Sequence, residues 1–313
     1  MEEVPFLAII TGPTGTGKTE LGVILAQELG GEVVSADSMQ IYKGLDIGTA
    51  KPSTEERRGV PHHMLDCVDP REQYSVARYV EDATEAIRGI LERGRLPIVV
   101  GGTGLYIDSL VSGRTFSGVD GNSRRDEFGA EYDALGGAEM LRRLRLIDPD
   151  RAAILSPSDR RRIVRALEIF ELTGKTITQH DAETKALPPR FRTRTVALDF
   201  KDRADLYFRL DRRVDIMLRR GLVDEVRSLL ASGLDRESTA MQAIGYKELS
   251  LCLEGEQSIE EAVRRIKQGT RNYAKRQLTW LRRRSDIHWI RWDASPDFDF
   301  ARRNSTEYIT LPI

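Results

Sequence analysis

The sequence predicts an α/β protein in which a parallel sheet, headed by a P-loop, is covered by helices, and which carries a helical insertion domain. Short apolar runs alternate with helical segments, and a glycine-rich phosphate-binding pattern follows the first run. After about residue 113 an arginine-rich stretch with helical spacing replaces the strand pattern. The first two observations predict the core, since such alternation is typical of a parallel sheet covered on both faces. The third predicts the insertion.

The individual elements follow from local patterns. Four short apolar runs predict strands over residues 6–10, 32–36, 96–100 and 194–199. Apolar side chains at three- and four-residue spacing predict helices over residues 19–29, 79–91, 124–135, 137–146 and 159–172, and helical patterns dominate from residue 204 onward. A Gly- and Ser-containing linker is predicted at 116–122. We therefore expect a core of residues 1–115 with 190–313, interrupted by an insertion domain at 116–189.

Composition excludes several classes of protein. The 313 residues carry a formal net charge of −1 with 31% charged and 40% hydrophobic residues, so binding to a polyanion has to come from local basic patches. Cys67 and Cys252 lie far apart without metal-ligand spacing, which indicates reduced thiols in a cytoplasmic protein. The N-terminus resembles neither a signal peptide nor an anchor, and no apolar run is long enough to cross a bilayer, so we expect no membrane partner.

The most specific motif follows the first predicted strand and opens the first predicted helix. It reads Gly12-Pro13-Thr14-Gly15-Thr16-Gly17-Lys18-Thr19 and fits the P-loop pattern fully. Glycines let successive amides point at phosphate oxygens, and the helix adds its positive dipole end. We expect the loop to bind a phosphate ester or a diphosphate through Gly12, Thr14, Gly15, Thr16, Gly17, Lys18 and Thr19, with Lys18 as a mobile charge and Thr19 as a magnesium ligand.

Two polar residues at predicted strand ends argue against an ordinary P-loop hydrolase. A Walker-B strand ends in an acid, whereas the run at 96–100 ends in Gly101-Gly102-Thr103-Gly104. The acid, Asp37, instead follows the run at 32–36. At the carboxyl end of a parallel strand it faces the ligand crevice, where a carboxylate can accept a proton from an attacking hydroxyl or amine. A cap on the following turn is the alternative role for Asp37, and a simple tight turn is the alternative for Thr103.

At this point the sequence resembles the tRNA dimethylallyltransferases, also called tRNA isopentenyltransferases, of the bacterial type. The resemblance runs over nearly the whole chain, and seven strings occur in the family's order. They are the P-loop, Asp37 to Pro52, Pro61 to Asp66, Gly101 to Tyr106, Arg165 to Glu168, Gln242 to Lys247 and Lys275 to Arg282. The Cys/His zinc module found in some eukaryotic members is missing here.

The resemblance implies a reaction and a set of roles. The family transfers a dimethylallyl group from dimethylallyl diphosphate to the N6 amine of the adenosine immediately 3′ of the anticodon, with Mg²⁺ and release of diphosphate. Lys18 and Thr19 would hold the diphosphate and the metal, Asp37 would be the general base, and Thr103 would line the reaction channel. Arg124 falls where the family has a channel arginine after an acidic residue, here Asp120, although the neighbouring Arg125 fits nearly as well. One tRNA per monomer is implied.

Two arginine- and lysine-rich stretches indicate where tRNA phosphates would bind. One lies in the insertion, between Arg142 and Arg165, and the other runs from Arg264 to Arg284 without an acid between Lys267 and Arg284. Solvated helix faces are the alternative interpretation of both. With the residues implied by the resemblance, the predicted tRNA contacts are Asp37, Ser38, Met39, Gln40, Arg161, Arg162, Arg165, Gln242, Gly245, Tyr246, Lys247, Lys275, Arg276 and Arg282.

Three other functions are compatible with parts of the pattern. A small-molecule P-loop kinase would use Asp37 as base and consume ATP, but it gives no role to the basic C-terminal helix. An adenylate prenyltransferase acting on free nucleotide would share the P-loop and Asp37 without needing the arginine-rich insertion. A non-enzymatic RNA-binding switch would not need Asp37 and Thr103 together at strand ends. The tRNA enzyme is therefore the preferred hypothesis.

Overall fold

The computed structural model describes residues 4–112 and 122–312, with the side chains of 122 and 123 left out. The predicted linker at 116–122, including Asp120, therefore falls outside the described residues apart from the backbone of residue 122. The chain divides into two compact units, Met1–Val111 with Phe191–Ile313, and Ser112–Arg190. That the inserted stretch is a domain of its own stays a prediction.

The first unit is built on a parallel sheet of six strands within the described residues. Its strand order is β3-β2-β4-β1-β5-β6. The strands are β1 Phe6–Thr11, β2 Gly31–Ala36, β3 His62–His63, β4 Leu96–Gly101, β5 Arg192–Phe200 and β6 Ile287–Trp292. The side chains of β1, β2 and β4 are buried almost throughout, which shows that both faces of the sheet are covered. The α/β prediction is confirmed.

Helices of the described chain connect and cover these strands. In the first unit they are α1 Lys18–Leu29, α2 Thr54–Arg57, α3 Val76–Glu92, α4 Gly104–Val111, α10 Arg203–Arg219, α11 Leu222–Ala231, α12 Tyr246–Leu253, α13 Ile259–Leu281 and α14 Phe298–Thr310, with a 3₁₀ turn at Ala240–Gln242. In the second unit they are α5 Asn122–Leu135, α6 Gly137–Ile147, α7 Pro149–Ala153, α8 Arg160–Thr173 and α9 Ile177–Ala186.

Two strands, β3 and β6, were not predicted from the sequence. β3 has only two residues, too few for a periodic pattern, and His63 within it is tied to Glu32 of β2 (Nε2 to Oε2, 2.7 Å). β6 lies in the region where helical patterns were expected to dominate, so that expectation was too simple. Its sequence, Ile-His-Trp-Ile-Arg-Trp, is rich in aromatic and β-branched residues, which are the residues that favour a strand.

The second unit has a small apolar core of its own. Buried residues from α6, α7, α8 and α9 form it, among them Met140, Leu144, Ala152, Ile163 and Ile177. Glu168 is fully buried beside this core, and its Oε2 accepts hydrogen bonds from Arg125 (3.2 Å) and Arg165 (2.8 Å). A buried carboxylate needs such partners, and the one from Arg125 also joins α5 to α8.

Candidate active site

A cavity of about 1010 Å³ lies in the first unit, at the carboxyl ends of β2 and β4. Its wall is formed by the P-loop, the strand ends, the segment 46–58, one face of α10 and one face of α13. The lining residues with charged or hydrogen-bonding side chains include Lys18, Thr19, Asp37, Gln40, Lys51, Arg209, Arg213, Tyr273 and Gln277. The position agrees with the general rule that ligands of α/β sheets bind beyond the carboxyl strand ends.

The P-loop has the backbone shape that an anion site needs. Gly12, Gly15 and Gly17 adopt positive φ angles of 140°, 82° and 90°. A Cβ at Gly12 would lie 2.4 Å from the carbonyl oxygen of Leu198, so only glycine fits between the loop and β5. Gly17 caps α1 without a side-chain partner, which leaves the first amides of the helix to a bound anion.

Lys18 and Arg213 bring two cationic groups to the base of this loop. The Lys18 ammonium donates a hydrogen bond to the carbonyl oxygen of Pro13 (2.8 Å). Burial, and to a smaller extent the neighbouring Arg213 guanidinium, lowers the pKa of Lys18 to about 7, against the raising effect of the Asp37 carboxylate. Burial also lowers the pKa of Arg213 from its ordinary value, and Asp37 opposes that shift. Two desolvated cations thus meet beside one carboxylate, an arrangement suited to binding a multiply charged anion.

Asp37 lies directly after β2, on the turn that leads into the segment 46–58. Its Oδ1 accepts hydrogen bonds from the amides of Met39 (2.9 Å) and Gln40 (3.4 Å), so the turn-capping role is present. Asp37 lines the cavity, and its Oδ2 forms no hydrogen bond or ion pair with another described residue. The capping contact therefore orients the carboxylate and leaves one oxygen for a ligand.

Thr103 sits beside this turn, at the end of β4. Its hydroxyl accepts a hydrogen bond from the amide of Ser38 (3.1 Å), and its own amide donates to the carbonyl oxygen of Ala36 (3.1 Å). Tyr273 of α13 lies near the Thr103 side chain and lines the same cavity as Asp37, and burial raises the pKa of Tyr273 to about 12. Thr103 thereby joins the ends of β2 and β4, next to Asp37 and near α13.

The segment that follows Asp37 is held by buried polar contacts. The Glu225 carboxylate accepts hydrogen bonds from the amides of Asp46 (3.2 Å), Ile47 (2.8 Å) and Gly48 (3.2 Å), and from the hydroxyl of Tyr246 (2.5 Å). Tyr246 itself is fully buried. Among the predicted tRNA contacts, its side chain therefore acts by holding this segment in place and presents no surface.

Other predicted contact residues of the first unit also have internal partners. Gln40 donates to the carbonyl oxygens of Thr49 (3.2 Å) and Ala50 (3.3 Å), and Gln242 donates to that of Arg236 (3.0 Å). Gly245 is buried at the start of α12, whereas Lys247, two residues later, is exposed. Lys51 is almost fully buried between the carboxylates of Asp46 and Asp66. This region is thus built to keep a defined shape.

Ion pairs divide the basic stretch of α13 into two groups. Arg264 and Arg265 bind Glu261, Lys267 binds Asp215 (2.6 Å), Arg271 binds Asp211 (2.6 Å), and Arg284 binds Asp108 and Asp286. The remaining cations are exposed and have no acidic partner within the described residues. We call them the outer basic face of α13: Lys275, Arg276, Arg282 and Arg283.

Most arginines of the second unit are paired with acids of the same unit. Arg142, Arg143, Arg151, Arg160, Arg162 and Arg165 all form such pairs. Arg161 is exposed without an acidic partner in the described part of the chain, so it stays the clearest candidate for a phosphate. Arg124, on α5, pairs with Glu127 (2.6 Å) and Glu171 (3.4 Å), and its role as a channel arginine stays a prediction.

Several residues of the cavity were missed by the sequence analysis. Arg209, Arg213 and Gln277 line it, and Glu225 holds its rim. A helical repeat of arginines at 209, 212, 213 and 220 is visible in the sequence, but nothing local says that this face of α10 meets the P-loop. The Gln277 contact joins residues 263 positions apart, which no spacing rule reaches.

The residues present fit a magnesium ion that is bound together with a diphosphate. The Thr19 hydroxyl, a hard oxygen donor, lines the cavity beside Lys18. Within the described residues no group of three His, Cys, Asp or Glu side chains could hold a metal by itself. The donor set therefore suits an ion that takes its other ligands from phosphate oxygens and water, as Mg²⁺ does.

Comparison with known proteins gives a consistent result. A family model described as "IPP transferase" matches residues 40–284, and one described as "Isopentenyl transferase" matches residues 5–70. A tRNA dimethylallyltransferase of Thermoanaerobacter sp. (strain X514) is 43% identical over 305 residues, covering 97% of each chain. One of Desulforudis audaxviator (strain MP104C) is 48% identical over 290 residues, covering 91% of this chain and 92% of the relative.

Solved structures agree with the sequence comparison. The tRNA Δ(2)-isopentenylpyrophosphate transferase of Staphylococcus epidermidis has a TM-score of 0.71 and 37% identity, covering 97% of this chain and 99% of its own. A eukaryotic dimethylallyltransferase acting on tRNA has a TM-score of 0.81 and 33% identity, covering 97% and 77%. Matches of this extent, with the cavity and strand-end residues in place, show that the chain belongs to the IPP transferase family, together with the tRNA dimethylallyltransferases.

Proposed function

We propose that this protein transfers a dimethylallyl group from dimethylallyl diphosphate to the N6 amine of the adenosine immediately 3′ of the anticodon in tRNA. The observation that carries the proposal is the cavity in which the P-loop cations and the Asp37 carboxylate meet. An amine alkylation requires a leaving-group site and a proton acceptor that face the same cavity. The family membership identifies the donor and the acceptor.

The steps follow from the chemistry of the side chains. Lys18, Arg213 and the amides at the start of α1 neutralise the diphosphate, which makes it a better leaving group. The allylic C–O bond breaks, the bond from N6 to the allylic carbon forms, and the N6 proton passes to the Asp37 carboxylate. Thr103 and Tyr273 lie beside Asp37. Thr19 would hold Mg²⁺, which when bound supplies further positive charge to the diphosphate oxygens.

The tRNA has to present its adenine unstacked, which costs a few kcal/mol. We propose that this cost is offset by phosphate contacts to the outer basic face of α13, to Lys247 and to Arg161, with further contacts from the turn Asp37 to Gln40, from Gln242 and Gly245, and from Arg162 and Arg165. By the family resemblance, we also propose that the protein is a cytoplasmic monomer that binds one tRNA. No helix in the described part of the chain combines the length and the apolar character that crossing a membrane takes.

The experiment that tests the function is transfer of radiolabelled dimethylallyl diphosphate into unmodified tRNA with Mg²⁺, beside an assay for ATP hydrolysis. Label in tRNA without ATP consumption is the expected result. Label in free AMP but not in tRNA would favour an adenylate prenyltransferase. ATP-dependent phosphorylation of a small molecule would favour a kinase, and either result would overturn the proposal.

Neutralising the outer basic face is expected to change the salt dependence of tRNA binding. The variant Lys275→Gln/Arg276→Gln/Arg282→Gln loses three cations that form no ion pair. The negative slope of log K against log salt therefore becomes shallower by about 2. The matched control is Arg264→Gln/Arg265→Gln/Lys267→Gln, on the same helix, whose cations are already paired with acids. Equal slopes in the two triple variants would show that the outer basic face is only a solvated surface.

Binding of inorganic pyrophosphate is expected to weaken as the pH rises through about 7. In the free protein the pKa of Lys18 is lowered to about 7, and a bound anion raises it, so the anion binds best when Lys18 is already protonated. Above that pH the affinity falls by up to tenfold per pH unit. Lys18→Arg keeps its charge and serves as the control, because only the titration of pyrophosphate itself remains. Identical pH profiles for the two proteins would contradict the prediction.

A further inference from the structure

Three successive P-loop residues are each held through their backbone by a side chain from the C-terminal part of the chain. The amide of Thr14 donates to Gln277 Oε1 (2.9 Å), the carbonyl oxygen of Gly15 accepts from Arg209 Nε (2.7 Å), and that of Thr16 accepts from Trp292 Nε1 (2.9 Å). Residues of α13, α10 and β6 therefore set the shape of the loop.

Gln277 differs from the other two because it has a second partner at a strand end. Its Nε2 donates to the carbonyl oxygen of Gly102 (2.9 Å), just after β4, and the residue is only 6% exposed. The two partners also determine the orientation of the amide, since turning it over would oppose Nε2 to the Thr14 amide and Oε1 to the Gly102 carbonyl. Both polar atoms of the buried side chain are thus satisfied in one arrangement.

The close approach of α13 to the strand end depends on glycine. A Cβ at Gly102 would lie 2.1 Å from Gln277 Nε2, and a Cβ at Gly104 would lie 2.4 Å from the Trp280 ring. Trp280 in turn donates to Asp108 Oδ2 of α4 (2.6 Å). The Gly101-Gly102-Thr103-Gly104 string therefore has a physical role, which is to let the inner face of α13 rest on the end of β4.

One face of α13 connects both halves of the proposed reaction site. Tyr273, which lies near Thr103 and lines the cavity with Asp37, precedes Gln277 by one helical turn and lies on the same face. Gln277 contacts the loop for the leaving group, and Tyr273 contacts the wall beside the base. The distance between the two halves is therefore set by one rigid helix and by the hydrogen bonds of Gln277 to Thr14 and Gly102.

We propose that Gln277 is a positioning residue, which aligns the P-loop with the Asp37–Thr103 strand ends so that diphosphate and amine are in line with the reacting carbon. The proposal rests on the proposed function. It is expected to matter for rate because a displacement requires its reacting atoms within a few tenths of an ångström of the productive geometry, and a 1 Å misplacement costs up to about 10²-fold.

The test compares Gln277→Met, which keeps the size of the side chain and loses both hydrogen bonds, with wild type. We expect kcat to fall about 10- to 100-fold and pyrophosphate affinity to fall several-fold, with tRNA affinity within about twofold of wild type. Hydrogen exchange of the P-loop peptide should accelerate, because the Thr14 amide loses its acceptor. Gln268→Met is the matched control, since Gln268 lies on the same helix with an exposed amide bonded to Asn272.

Two results would overturn the proposal. One is an unchanged kcat together with unchanged P-loop exchange, and the other is a parallel loss of tRNA affinity, pyrophosphate affinity and thermal stability, which a merely structural residue would produce. If Gln277→Met does not fold, Gln277→Asn serves instead, because its shorter amide cannot span both partners. If wild type transfers no dimethylallyl group, the proposed function fails, while pyrophosphate binding and exchange still decide whether Gln277 positions the loop.

Discussion

Replacing Asp37 with asparagine is expected to lower kcat by about 10²- to 10⁴-fold while tRNA affinity stays within about twofold of wild type. Asparagine keeps an oxygen for the amides of Met39 and Gln40 but cannot take the proton that leaves the adenine amine. Single-turnover transfer of label into tRNA measures the rate, and filter binding measures the affinity. Because the capping contacts survive, a loss of rate reports the base and not the turn.

The control for Asp37 is Glu20→Gln. Glu20 lines the same cavity from α1, is exposed and forms only an exposed ion pair with Arg58 (3.4 Å), so this variant also removes one carboxylate from the cavity without breaking a buried contact. We expect its kcat to stay within a few-fold of wild type. If the two variants lose rate equally, the effect belongs to the charge of the cavity and Asp37 is not the base.

Replacing Arg213 with methionine is expected to weaken pyrophosphate binding by about 10- to 100-fold and to lower kcat by a further 10²-fold or more. A desolvated guanidinium beside the P-loop makes charge-assisted contacts to a diphosphate, and such contacts strengthen as the leaving group gains charge. Calorimetric titration with pyrophosphate and single-turnover transfer measure the two effects. Arg212→Met is the control, because Arg212 also lines the cavity from α10 but is exposed.

Arg213→Met has a second expected effect, on pH dependence. The Arg213 guanidinium lowers the pKa of Lys18, so its removal raises that pKa above about 7. Lys18 then stays protonated to higher pH, and the pH at which pyrophosphate binding weakens moves upward. An unmoved midpoint in Arg213→Met would mean that burial alone sets the Lys18 pKa and that the two cations do not interact.

Much of the core was predictable because its signals are local. The signals for β1, the loop and α1 lie next to one another along the chain, since an apolar run is followed at once by the eight residues that contain the glycines and the helix start. Asp37 and Thr103 were predicted to meet from strand polarity alone, and the hydrogen bond from the Ser38 amide to Thr103 places them side by side. Short elements with weak patterns, such as β3, carried no such signal.

The basic stretch of α13 differs from the continuous patch that its sequence suggests. Its sequence lacks acids between Lys267 and Arg284, which suggested one continuous patch, yet Asp211 and Asp215 of α10 and Asp108 of α4 neutralise part of it. Only the tertiary arrangement shows which cations remain unpaired. In the second unit Arg143, Arg151 and Arg160 likewise pair with acids on other helices, which the sequence alone does not show.

The sequence by itself determined the class of the core, the anion loop, the place of Asp37 at the carboxyl end of β2 and, through its order of motifs, the family. Those features depend on residues that are neighbours along the chain or at equivalent strand ends. Only the tertiary structure decided that Arg213 joins Lys18, that Glu225 and Tyr246 hold the rim, and that Gln277 connects the P-loop to β4. These contacts join segments up to 263 residues apart, and their strength depends on the burial that folding creates. No local sequence pattern can therefore predict them.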